Sequence, residues 1–193
     1  MGNPEAIAFR PIGQNCFAGF IQTLQFKNRM EIAVSACLLG EKVRYDGKDK
    51  KNSFIVDELN KIATLIPFCP ENLAFKTPRE PISLVIIDNE FHIISNETKR
   101  DLTKILEDKA KKELLRLKKE KIDAIIFKSK SPSCALGSTD IFDGNKIYKG
   151  NGIFAKMCKE EFRNIPMIEE TDLNDLKKRK EFLKRVFTQS QTP

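Results

Sequence analysis

A chain of 193 residues, 40% hydrophobic and 32% charged, can bury one well-formed core but is too short for two domains of ordinary size. No apolar run approaches the roughly 18 residues that span a bilayer, and the single histidine, His92, disfavours His-centred catalysis or a metal site built on several imidazoles. The net charge of +7 points only weakly to anionic partners, because lysine-rich surfaces also serve solubility.

Residues 1–29 hold Pro4, Pro11 and scattered aromatics without a sustained period. They lack the basic start and continuous apolar centre of a signal peptide. They read as an N-terminal extension or an upstream start, with Cys16 incidental and the folded domain beginning near Met30. A strand over 31–35 leads into Ala36-Cys37-Leu38-Leu39-Gly40 and then Arg44-Tyr45-Asp46-Gly47. Ser53 is placed to cap a helix carrying Phe54, Val56, Leu59 and Ile62. A second strand over 63–68 ends in Cys69-Pro70-Glu71, and the prolines of Thr77-Pro78-Arg79-Glu80-Pro81 exclude a helix interior there.

Segments 84–87 and 91–94 flank Asp88-Asn89-Glu90 as a hairpin, in which His92 reads as packed or solvent-facing. Over 96–120, Leu102, Ile105, Leu106, Ala110, Leu114 and Leu117 recur at helical spacing. The apolar run 122–127 reads as a strand covered on both faces, and it turns abruptly polar at Lys128-Ser129-Lys130-Ser131-Pro132-Ser133-Cys134. A second hairpin over 139–148 turns at Asp143-Gly144. A short helix over 151–162 places Ala155 and Cys158 on one side, which makes Cys158 a core thiol. After a last strand over 165–168, Thr171 caps a terminal helix with Lys177, Lys178, Arg179, Lys180, Lys184 and Arg185. That helix would pack through Leu173, Leu176, Leu183 and Phe187, and its basic face is the feature that points to RNA.

Alternating strands and helices predict an α/β fold. The expected form is a single three-layer domain around a mainly parallel sheet, with a short hairpin addition and a C-terminal basic helix. The division expected is 1–29 extension, 30–170 domain, and 171–193 terminal helix and tail.

The five cysteines, Cys16, Cys37, Cys69, Cys134 and Cys158, are an odd number without the tight spacing of a disulfide scaffold. Free, catalytic or metal-bound thiols in a reducing, cytoplasmic setting are therefore expected. Cys37, Cys69 and Cys134 each follow a predicted strand. In a parallel sheet these carboxyl ends share one edge, where ligands bind. Three converging thiols suit zinc with a fourth ligand or water, or an iron–sulfur cluster with one iron left open. Spacing alone leaves both open, and a third reading keeps the cysteines structural in a nucleotide- or RNA-binding module.

The motifs Ser35-Ala36-Cys37-Leu38-Leu39-Gly40, Arg44-Tyr45-Asp46-Gly47, Cys69-Pro70-Glu71, Thr77-Pro78-Arg79-Glu80-Pro81 and Lys128-Ser129-Lys130-Ser131-Pro132-Ser133-Cys134 stand in an order that resembles the thiouracil desulfidase family, over about 30–169. The resemblance implies a [4Fe-4S] cluster held by Cys37, Cys69 and Cys134, and non-redox removal of sulfur from thiolated uracil-type bases. In that expectation the open iron binds the thiocarbonyl sulfur while water attacks the adjacent carbon. Glu71, Ser131 and Asp46 are the candidate catalytic residues; Tyr45, Arg79 and Ser133 are the candidate substrate contacts. The substrate would be a base, nucleoside or nucleotide. One departure is Ala135, where the family usually has glycine after its third cysteine.

Overall fold

The computed structural model describes residues 29–190. The predicted extension, Cys16 included, lies outside the described residues apart from Arg29. In chain order the strands are β1 (Met30–Ser35), β2 (Ala63–Phe68), β3 (Ile82–Ile87), β4 (Glu90–Ser95), β5 (Ala124–Phe127), β6 (Leu136–Asp143), β7 (Lys146–Asn151) and β8 (Met167–Glu169). The helices are α1 (Pro70–Phe75), α2 (Thr103–Lys119), α3 (Ile153–Glu161) and α4 (Leu176–Ser190).

The first sheet is wholly parallel, in the order β2-β1-β5-β8. Side chains alternate across a strand, so its central members feed two cores. Ile32, Val34, Ala124 and Ile126 face one side with Ile55, Leu59, Phe182, Leu183 and Val186. Ala33, Ile125 and Phe127 face the other, against Ala110, Leu117, Phe154 and Cys158. The result is the three-layer α/β domain that the strand–helix alternation predicts. Helix α4 closes one layer through Phe182, Leu183 and Val186, while Leu176 is 65% exposed and takes no part in the packing expected of it. Of the basic residues of α4, Lys178 pairs with Asp172 and Arg179 stacks over the Phe54 ring.

The two hairpins join into a second sheet rather than one small addition. Its order is β4-β3-β6-β7, antiparallel within each hairpin and parallel where β3 meets β6. Asp88 and Asn89 both have left-handed φ, 51° and 64°, as a two-residue hairpin turn requires. Ile82, Leu84, Ile93 and Ile141 of this sheet pack on Leu106 of α2 and Ile153 of α3.

Two local expectations are corrected, and one helix is added. The segment after Ser53 is a π-helical turn, Phe54–Glu58, followed by a 3-10 turn, Leu59–Lys61. Its cap is Asn52, whose Oδ1 accepts the Ile55 amide at 3.2 Å, and the Ser53 side chain caps nothing. Helix α2 starts at Thr103 instead of 96, because Asp101 Oδ1 accepts the Thr103 amide and hydroxyl and ends the preceding turn. The added helix opens at Pro70: a proline at the first helical position gives up an amide that would have no partner there anyway.

Candidate functional site

Strands β1, β2 and β5 are neighbours and run in one direction, so their carboxyl ends lie side by side. Cys37 sits in the 3-10 turn Ala36–Leu39 directly after β1, Cys69 caps α1 directly after β2, and Cys134 follows β5 in the loop that leads to β6. All three line one cleft of about 720 Å³. Cys158 lies in the core beneath it, as its place on α3 predicts.

Burial pushes the Cys37 thiol up to about 12 and the Cys69 thiol up to about 11. Cys69 raises Cys37 further, while Lys128 and Arg44 act against the rise. Cys134 is raised well above the ordinary thiol value, first by burial and then by Cys69, Glu71 and Cys37. Each of the three thiols is therefore within electrostatic reach of the other two. Bare thiolates would repel one another here, and soft cationic metal would neutralise them. Among the described residues no three thiols, imidazoles or carboxylates are grouped as a single ion requires. One zinc draws its donors to about 2.0–2.3 Å of a common point. Three thiols on one cleft fit the donor set of an iron–sulfur core, whose separate irons each take one thiolate.

Two carboxylate clusters stand on the cleft wall. Glu71, in the first turn of α1, accepts from Arg79 Nη2 at 2.9 Å and from Ser131 Oγ at 3.1 Å. The Arg79–Glu71 pair is largely buried, with side chains 7% and 12% exposed. Arg79 Nη1 also donates to the Val43 and Lys76 carbonyls, at 3.0 and 2.8 Å. Ser131 Oγ in turn accepts the Ser133 and Cys134 amides at 3.2 and 3.1 Å. A continuous chain of bonds thus joins the Cys69 helix to the Cys134 loop. The second cluster is built on Glu170, directly after β8. Its Oε1 accepts from Lys128 Nζ at 2.5 Å and Ser129 Oγ at 2.7 Å, and its Oε2 accepts the Ser129 amide at 2.6 Å. Neighbouring Glu169 accepts the Leu136 amide and the Ser138 hydroxyl, both at 2.6 Å.

Of the residues singled out from the sequence, Cys37, Cys69, Cys134, Glu71, Ser131, Tyr45 and Arg79 all line the cleft; Asp46 and Ser133 do not. Asp46 is exposed, and its Oδ1 accepts the Lys48 amide at 3.1 Å and Arg44 Nε at 3.3 Å. Desolvation pushes its carboxyl up, but these donors outweigh it and hold the group below the usual range. Ser133 is fully buried, and its carbonyl accepts amides from the start of α3. Tyr45 is exposed at the mouth, with the Arg44 guanidinium 5.4 Å over its ring. His92 lies on β4, its Nδ1 2.7 Å from Asp101 Oδ2, away from the cleft wall.

The start of α3 clamps the Cys134 loop. The amides of Gly152, Ile153 and Phe154 donate to the carbonyls of Ala135, Pro132 and Ser133 at 2.8, 3.0 and 2.9 Å. These are the donors that a helix start leaves without an internal partner. A Cβ on Gly152 would meet the Ser133 carbonyl at 2.5 Å, so only glycine fits. Ala135 is fully buried and is not among the described residues with left-handed φ, so its methyl costs no backbone strain. The left-handed glycine of this loop is Gly137, φ 103°.

Sequence reasoning gave Lys128 and Ser129 no role of their own and missed Glu170. The signal was available: Glu169-Glu170 follows a strand of the same parallel sheet and so falls on the cysteine edge.

A three-layer α/β domain with three thiols and two carboxylate clusters at one sheet edge belongs to the class of folds in which the strand-end crevice is the ligand site. Residues 32–170 match the 2-thiouracil desulfurase family, and the chain belongs to that family. The uncharacterized protein YbbK of Bacillus subtilis (strain 168) is 32% identical over 157 residues, covering 75% of this chain and 99% of YbbK. Among solved structures, the [4Fe-4S]-dependent thiouracil desulfidase TudS is 30% identical, with a TM-score of 0.61 over 77% of this chain and 95% of TudS.

Proposed function

We propose that this protein removes sulfur from thiolated uracil-type bases without net redox chemistry, at a [4Fe-4S] cluster held by Cys37, Cys69 and Cys134. The observation that carries the reading is the convergence of these three thiols, from three adjacent parallel strands, on one cleft in a chain of this family. When bound, the cluster supplies a Lewis-acidic iron free of protein ligand, which polarises the thiocarbonyl. The overall exchange balances without electrons: the carbon gains the oxygen of water, and sulfur leaves as hydrosulfide with one proton released.

The remaining work falls to the chain. Glu71 is the base that takes the proton from water, and it returns a proton as sulfur departs. Arg79 and Ser131 hold it from two sides, which fixes its aim. Ser131, bonded to the Cys134 amide, keeps that aim registered to the third cysteine. Tyr45 stacks on the base at the mouth. Asp46 shapes the Arg44–Tyr45 turn, and Ser133 supports the Cys134 loop from within. Residues 30–170 form the catalytic unit, with α4 as a buttress, and free thiols go with a reducing cytoplasmic setting.

The test is anaerobic purification or reconstitution, followed by iron and acid-labile sulfide analysis and an assay with 2-thiouracil. About four irons and four sulfides per chain are expected, together with formation of uracil and hydrosulfide. Protein that takes up no iron after careful reconstitution, or that binds zinc in its place, would sink the reading.

A further inference from the structure

The polar groups beside the cysteines can be counted bond by bond. Lys128 Nζ has three protons, and each has an acceptor: Glu170 Oε1 at 2.5 Å, the Ser129 carbonyl at 3.0 Å and Ser129 Oγ at 2.9 Å. Ser129 Oγ spends its own proton on Glu170. On the opposite wall, Ser131 Oγ spends its proton on Glu71 and both lone pairs on backbone amides. Arg79 directs Nη1 and Nη2 to carbonyls, Thr77 and Glu71. Its Nε, the one buried side-chain donor without a partner among the described residues, is itself closed off from solvent.

The lysine and serine side-chain donors at these two clusters are spent, but the carboxylate acceptors are not. A carboxylate offers about four lone-pair sites. Glu71 uses one on each oxygen; Glu170 uses two on Oε1 and one on Oε2. Both residues line the cleft. They stand at opposite ends of the strand order, Glu71 after β2 and Glu170 after β8, with Cys37 and Cys134 between. Glu170 and Lys128 both act electrostatically on Cys37, which brings their cluster close to the reacting region. A ligand that bonds either carboxylate must therefore bring a hydrogen-bond donor to it. A thiouracil does: a ring N–H stands next to its C=S.

We propose that Glu170 is a substrate-binding carboxylate whose Oε2 accepts a ring N–H adjacent to the thiocarbonyl, with Lys128 and Ser129 fixing its orientation. Glu71 remains the residue that handles water, so the two acids divide the work: one reads the ring and the other performs the chemistry. This inference rests on the desulfidase reading above. A site built around a substrate N–H discriminates strongly against an analogue that lacks it, because its buried acceptor is then left without a partner.

The probes are 2-thiouracil and its 1-methyl and 3-methyl derivatives, used with reconstituted wild type and Glu170→Gln after iron and sulfide content have been matched. Wild type is expected to favour the parent over one of the two isomers by about tenfold or more in kcat/KM and in calorimetric Kd. In Glu170→Gln that preference falls to within about twofold, while turnover of the disfavoured isomer changes little. If Glu170→Gln does not fold or hold iron, Glu170→Asp decides: it should weaken binding of the parent and leave the disfavoured isomer unchanged. Equal discrimination in wild type and the glutamine variant, equal losses for parent and isomer in the aspartate variant, or an active wild type indifferent to methylation would each overturn the assignment. A cluster-loaded wild type inert towards every thiouracil is a different result, and it defeats the desulfidase reading itself.

Discussion

Strands β1 and β5 of the first sheet are buried on both faces, whereas β4 and β7 of the second are its edges, with Phe91, Ile147 and Tyr148 exposed. The parallel sheet is a continuous hydrophobic plate, and its polar residues are confined to the ends of its strands. The mixed sheet has a wet face and two free edges, guarded on β7 by Lys146 and Lys149. Chemistry follows the same division. Every cysteine of the cleft and both carboxylate clusters come from the first sheet's carboxyl edge or the loops that leave it. The second sheet adds a side wall through Ile82, Ser83, Thr139, Asp140 and Phe142. A parallel sheet can gather side chains from distant parts of the sequence on one line; hairpins of neighbouring segments cannot.

The largest effect that separates the two regions should come from the cysteines. Serine at Cys37, Cys69 or Cys134 is expected to abolish iron binding and desulfuration together, read by metal analysis and product formation. Serine at Cys158 should retain iron and lose only stability. Comparable iron loss in all four variants would erase the distinction between edge and core thiols. Next, Glu71→Gln is expected to lower kcat by about 10²–10⁴ with cluster content intact, the range for loss of a general base. A variant with unchanged turnover removes Glu71 from the chemistry.

Stability should divide along the same line. Ile126→Ala in the parallel sheet is expected to cost about 2–5 kcal/mol in denaturant unfolding. Ile147→Ala, at a position 61% exposed on β7, is expected to change stability by less than about 0.5 kcal/mol. Equal losses would mean that β7 buries more in solution than on its own sheet edge. The smallest effect is in acid. Hydrogen bonds from the Thr103 hydroxyl and amide, then the His92 contact, hold the Asp101 carboxyl below its ordinary 3.8. A depressed carboxylate contributes stability above the unfolded-state value and loses it as pH falls through the folded one. Asp101→Asn should therefore lower the neutral plateau slightly and flatten the acid limb below about pH 4, where the carboxylate begins to protonate, so that variant and wild type converge in acid.

The parallel strands and the three cysteines were legible because a buried strand leaves a blunt record: short apolar runs such as Ala124-Ile125-Ile126-Phe127, stopped by polar loops. The hairpin at Asp143-Gly144 was legible for the same local reason. Joining both hairpins into one sheet was not, because the link is the parallel pairing of β3 with β6 across some fifty intervening residues. Glu71 could be picked out beside Cys69, but its ties to Arg79 and Ser131 depend on three segments meeting. Glu170 was missed because the strand before it has only three residues and no cysteine or glycine marks the turn that follows. Short-range chemistry writes itself into sequence; partnerships made at a shared edge do not.

The clamp between α3 and the Cys134 loop sets an order of events during synthesis. Two thiols, Cys37 and Cys69, belong to the first part of the described fold, but the loop carrying the third is held by amides from Gly152 to Phe154 and by Glu169 and Glu170. A ribosome-bound chain that has emerged only as far as Cys134 has all three sulfurs and no means of presenting the last. Under the proposed cluster assignment, metal delivery to the emerging polypeptide would have to wait for about forty further residues, and a chain that stops short of Glu170 would leave that loop without its fastenings.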